Sequence, residues 1–223
     1  MTTVTASPVH YGPATATARS HRALLACAAA AGPLYVAEGL AQALTRDGFD
    51  LTRHPLSLLS NGPLGWIHIT TFVVAGALTV LGAIGLRGHL GSRWAARLVA
   101  LYGAGLVAAG VFVADPMDGF PVGTPPGPPA AVSWHGMLHF MSGGIGFLGL
   151  IAACLVLARR FRRAGRRGWA AYSAVTGVLF TAGFAGIASG PATAARGVAF
   201  GVAVVLGWTW LTAVLLDARR ADS

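Results

Sequence analysis

Six blocks of apolar residues recur along the chain, each near the roughly 20 residues a helix needs to cross a bilayer. Short stretches rich in Arg, Pro, Gly and Asp separate them. The blocks cover 23–44, 63–86, 95–114, 132–158, 168–189 and 197–216. They predict an all-α integral membrane protein, a six-transmembrane-helix bundle over 23–218, with a disordered tail at 1–22 and a short tail at 219–223. Local signals agree with these limits. Pro63 suits a first helical turn, where its missing N–H costs nothing. Asp115-Pro116 and Gly190-Pro191 end the third and fifth blocks.

Arg placement orients the bundle. Arg19 and Arg22 precede the first block; Arg87, Arg93 and Arg97 join the second and third. Arg159, Arg160, Arg162, Arg163, Arg166 and Arg167 join the fourth and fifth, and Arg219 and Arg220 follow the sixth. All thirteen fall on one side of an alternating topology, against Arg46, Arg53 and Arg196 on the other. The side rich in Arg is cytoplasmic by the positive-inside rule, so both termini are expected inside (N-in/C-in), in a bacterial inner membrane. One helix more or fewer would destroy the asymmetry.

Composition agrees. Charged residues make up 10% of the chain and hydrophobic ones 55%, whereas a soluble domain carries about 25% charged. The formal charge of +9 comes from Arg alone, and its confinement to inter-helix clusters argues for topology and against nucleic-acid binding. The six-Arg loop is also suited to anionic lipid headgroups. Cys27 and Cys154 sit singly inside apolar blocks, with no metal-type spacing. The small-residue pairs Gly186/Gly190 and Gly197/Gly201 predict close helix packing. Trp66, Phe72 and Gly76 recur as Trp134, Phe140 and Gly144, a faint trace of a duplicated hairpin.

Polar side chains gather toward one end. Glu38 lies inside the first helix, where a carboxylate is costly and turns to a polar interior, and Gln42 follows one turn on. Asp47, Asp50 and His54 lie in the first outer loop, His68 early in the second helix, and Asp115 and Asp118 after the third. His135 and His139, four residues apart, share one helix face about 6 Å apart along the axis, with Ser142 continuing it. Two imidazoles so spaced suit a zinc ion, with Asp115 as third ligand or general base. The competing reading is interfacial hydrogen bonding. Trp66 and Trp134 fit an aromatic belt. The Pro-dense stretch 120–129 cannot be helical and forms either a lid or an exposed connector. No Walker loop, dinucleotide fingerprint or Gly-x-Ser-x-Gly elbow is found in the sequence.

Three segments carry a resemblance. His-Pro-Leu-Ser-Leu-Leu-Ser-Asn-Gly-Pro-Leu-Gly-Trp-Ile (54–67), Val-Phe-Val-Ala-Asp-Pro (111–116) and Ser-Trp-His-Gly-Met-Leu-His-Phe (133–140) resemble the bacterial membrane family known as domain of unknown function 998, in its actinobacterial form. The resemblance implies the six-helix fold and supplies no activity. It favours Ser57, Asn61, Asp115, His135 and His139 as site positions, since they sit inside the matching segments. A looser likeness, of residue types alone, is to membrane hydrolases of the alkaline-ceramidase type.

These observations lead to an expected function: binding or sensing of a lipid or small molecule in an outward-facing His/Asp pocket, with His54, Ser57, Asn61 and Trp66 contacting it. One rival is an intramembrane, metal-dependent enzyme acting on a lipid or isoprenoid-like substrate through Asp115, His135, His139 and Glu38. The other is a small proton-coupled transporter using Glu38. The bilayer is the expected partner.

Overall fold

A computed structural model describes residues 13–89, 92–189 and 193–221. Its helices are α1 (Pro13–Ala29), α2 (Ala31–Thr45), α3 (Gly65–His89), α4 (Arg93–Val111), α5 (Trp134–Arg163), α6 (Arg167–Ala188) and α7 (Ala194–Ala221), with a short 3₁₀ turn at Leu56–Ser60. Six stretches are long and apolar enough to span a membrane, the first running through α1 and α2 together. Between 33% and 50% of each apolar window is buried inside the protein. The remainder, including Leu148, Val178 and Val202, is a broad apolar exterior that a bilayer accepts and water does not.

Several limits differ from expectation. The first helix starts at Pro13 rather than Ala23, so 13–22 are helical rather than tail; residues 1–12 lie outside the described residues. Ala is the best helix former and Pro13 occupies the first turn, which suits a helix start. α3 begins two residues past Pro63, because Asn61–Leu64 form a turn with Gly62 at φ +76°. α4 stops at Val111, three residues before Ala114.

The first span breaks at Ala30, and Pro33 is the cause. Proline has no N–H to offer the Ala29 carbonyl four residues back. The Thr212 hydroxyl of α7 donates to that carbonyl instead, at 3.4 Å. A side chain on Gly32 would meet the same hydroxyl at 2.6 Å, so α7 crosses close to the break.

Each helix packs on the next along the chain, and α1 and α2 return to pack on α7 and α3, closing a ring. Backbones come closest at glycines. A Cβ on Gly76 would lie 2.6 Å from the Gly103 carbonyl, and one on Gly103 2.7 Å from that of Gly76, which locks α3 to α4. Gly105 meets Gly146 likewise between α4 and α5. The expected pairs behave otherwise. Gly197 packs under the Thr52 carbonyl of a loop, Gly201 has nothing within 4 Å of its Cβ direction, and Gly190 lies outside the described residues. The suggested duplication is not carried by packing either: Phe72 is buried and Phe140 exposed, and Gly76 is clamped where a Cβ on Gly144 would meet only Phe184, at 3.6 Å.

The two long loops fold together at one end. Arg46 donates to the carbonyls of Leu59 and Asn61 and stacks over Phe120 at 4.8 Å. The Asn61 amide donates to Ala114 O at 3.1 Å. Phe120 is buried with Leu58, Leu59, Ala43 and Ala114 in a small separate core. The Pro-dense stretch thus divides: its first residue anchors the cap, while Val122, Gly123, Pro125 and Pro126 are exposed. At the other end, Arg166 holds Asp217 by two hydrogen bonds of 2.6 and 2.9 Å, tying the α5–α6 turn to α7.

Candidate functional site

A cavity of about 120 Å³ lies inside the helix ring, under the cap. It is neither sealed nor a surface groove. α2, α3, α4, α5, α6 and α7 all contribute to its wall, and residues 51 and 54–57 border it from the loop. Two glycines make room: neither Gly143 nor Gly201 has any atom within 4 Å of its Cβ direction. Among the described residues, no Asp, Glu, Lys or Arg lines the cavity. Its polar groups are neutral or weakly basic: the hydroxyls of Tyr35, Tyr102 and Ser57, the Trp208 indole, and the imidazoles of His54 and His139.

Tyr35 and Tyr102 flank Trp208, with ring centroids 5.2 and 5.4 Å from it. All three are buried. These residues were not singled out from the sequence. The available signal was an aromatic with a polar tip placed mid-helix, far from the interfacial belts where Tyr and Trp usually sit.

His54 joins the cap to the cavity. Its Nδ1 accepts from the Asp50 N–H at 2.9 Å, and its Nε2–H donates to the Asp118 carbonyl at 3.0 Å. One ring bridges both outer loops and shows a face to the cavity. Asp50 itself is held below its ordinary value, chiefly by the Thr52 hydroxyl and N–H donating to it.

The proposed metal trio has other partners. The Nδ1–H of His139 is shared between the carbonyls of Ala109 and Phe112, both at 2.8 Å, and that of His135 goes to Val113 O at 2.9 Å. The two imidazoles close the open end of α4, whose last carbonyls lack helical partners. Asp115 accepts from the Ser133 N–H at 2.9 Å, at the start of α5, where a carboxylate meets the positive end of the helix dipole. Burial pushes its carboxyl up, but the Ser133 hydrogen bonds and the nearby His135 outweigh this and hold it below the ordinary range. Ser133 also caps α5, its Oγ accepting from the Gly136 N–H at 3.0 Å. A Cβ on Gly136 would collide with the Asp115 carboxylate, with Cγ at 2.7 Å. Among the described residues, no group of three or more His, Cys, Asp or Glu side chains is arranged to hold a metal ion. The donor set for zinc is therefore incomplete among the described residues.

Glu38 belongs to a separate polar thread. It accepts from His68 Nδ1 at 2.8 Å and from the Gln42 amide, and Gln42 in turn accepts from Arg46 at 3.4 Å. Glu38, Gln42 and Arg46 follow one another at four-residue steps on one face of α2. The His68 ring is fully buried, and its Nε2 has no partner. Of the sequence candidates, then, His54, Ser57 and His139 border the cavity. Asn61 braces the cap, Trp66 is 63% exposed on the outside, and Asp115 and His135 secure the α4–α5 junction.

The family described as "Protein of unknown function (DUF998)" matches residues 29–217, a span that runs from the break in the first helix to about one turn short of the end of α7. No curated protein and no solved structure matches the chain.

Proposed function

The chain belongs to the DUF998 family, and we propose that it binds a lipid or other small apolar molecule in the cavity ringed by its helices. The observation that carries this reading is the cavity's wall: apolar, without a charged side chain among the described residues, and kept open by Gly143 and Gly201. Such a space favours an apolar guest, and a few neutral polar groups orient it. We place the Arg-rich end in the cytoplasm of a bacterium, by the positive-inside rule. The cavity then lies in the outer half of the bilayer, with the Arg46–Phe120 cap above it.

The test is extraction and mass spectrometry of small molecules retained through purification in mild detergent. Gly201→Leu and Gly143→Leu fill the space without a backbone clash. The wild type is expected to retain a defined apolar species, and both variants to lose it at unchanged melting temperature. Retention of the same species by all three would refute the proposal.

A second reading, proton-coupled transport, draws on the buried Glu38–His68 pair. Against it, the buried polar residues on the spans toward the Arg-rich end are Thr79, Ser173 and Thr176 among the described residues, none of which titrates.

A further inference from the structure

We propose that the guest enters ring first, and that it is a neutral, oxygen-substituted six-membered ring on an apolar tail, the headgroup class of quinones and phenols. This rests on the cavity-binding function and specifies its ligand.

Size comes first. The cavity, at about 120 Å³, compares with engineered cavities of about 150 Å³ that take up benzene. It admits one ring and excludes a phospholipid headgroup with its two chains. A tail must then leave through the open side. Charge narrows the class. Among the described residues, no Lys or Arg lines the cavity to pair with a phosphate or carboxylate, and no Asp or Glu to pair with an amine. An unpaired charge there would be strongly disfavoured by desolvation, so the buried part of the guest is neutral.

Hydrogen bonding then selects for oxygen. Among the described residues, no hydrogen bond involves the hydroxyl of Tyr35 or Tyr102, although the side chains are 5% and 2% exposed and both border the cavity. Beside the two tyrosines, the Trp208 indole N–H is buried at the cavity with no partner among the described residues, and such donors are nearly always paired. The tyrosine rings are fixed against Trp208, so the hydroxyls cannot swing to distant partners. A carbonyl or phenolic oxygen entering the cavity would supply the acceptor both lack. On the α5 side, His139 donates through Nδ1 to two carbonyls, which leaves Nε2 as an unprotonated acceptor in the neutral ring. A phenol or quinol O–H suits it. Phe72, Phe147 and Phe200 complete an aromatic wall against which a planar ring packs edge to face.

The experiment measures saturable binding to the full-length protein in nanodiscs, read for the quinone by quenching of tryptophan emission and for the other probes by competition against it. The probes are a benzoquinone with a short isoprenoid tail, its quinol, the same isoprenoid as a plain hydrocarbon, and a fatty acid. The quinone and quinol are expected to bind more tightly than the other two. Tyr35→Phe/Tyr102→Phe keeps both rings and should weaken quinone binding about 25-fold, two neutral hydrogen bonds at about fivefold each. The hydrocarbon should be unaffected. Equal affinity for quinone and hydrocarbon, indifferent to the tyrosine substitutions, would overturn the ligand class. So would tighter binding of the fatty acid. Gly201→Leu separates the two levels: if it expels neither quinone nor hydrocarbon, the cavity is not the site and the underlying function fails as well.

Discussion

The contact between Gly136 and Asp115 permits a sharp test of how the α4–α5 junction is built. In the native protein the Asp115 carboxylate fills the place where a side chain on residue 136 would stand. Gly136→Ala must therefore displace the carboxylate, which sits at the tip of a short side chain and can rotate away. The cost is its hydrogen bond from the Ser133 N–H, about 1.5–3 kcal/mol for a charged acceptor. Alanine returns up to about 1 kcal/mol through its better helix propensity, less in a first turn. The net loss is about 1–2 kcal/mol, a fall in melting temperature of roughly 2–8 °C for a chain of this size. The assay is thermal unfolding in detergent for Gly136→Ala, Asp115→Ala and the double variant. All three atoms nearest the new methyl belong to Asp115. Once that carboxylate is gone, Gly136→Ala should be neutral or stabilising, so its effect changes sign between the two backgrounds. Equal destabilisation in both would refute the assignment, because double-mutant coupling isolates this pair.

Four further outcomes follow from the same structure. Asp115 is held below its ordinary value of 3.8, so the stability it contributes is complete above that pH and is lost as pH falls through the lower native value. Asp115→Asn should flatten the acid limb of a stability–pH profile, with Asp50, also depressed, supplying what remains; an unchanged limb would count against the cap. His139→Ala removes the donor shared by Ala109 O and Phe112 O, and should lower stability by about 1–3 kcal/mol. Elemental mass spectrometry should show no stoichiometric zinc in either wild type or His135→Ala/His139→Ala, and one equivalent lost in the variant would restore the metal reading. Asp217→Asn cuts a half-exposed ion pair and should cost at most about 1 kcal/mol; an effect that persists unchanged at high salt would show that packing of Arg166 on Phe161 and Trp169 matters more.

The six spans and their order were legible in the sequence. In a bilayer each span must satisfy its own backbone hydrogen bonds, so its length and apolarity are local properties. Family membership was legible for a similar reason, since the segments around 54–67, 111–116 and 133–140 are contiguous. The break at Ala30 was available too, in Pro33, and passed unnoticed inside an apolar run. The site was legible only at His54, Ser57 and His139. His-x-x-x-His at 135 and 139 reads as a ligand pair until the end of α4 is placed beside it, and only that placement turns both rings to backbone carbonyls. Gly76, Gly103 and Gly201 look alike along the chain, yet two clamp α3 to α4 and the third borders open space. Tyr35, Tyr102 and Trp208 come from three helices and meet only when the ring closes. A cavity is a place where packing fails to fill, and no residue encodes it alone. Local hydrogen bonding and apolarity determined the spans; which small residues found partners across the ring decided where the empty space would be.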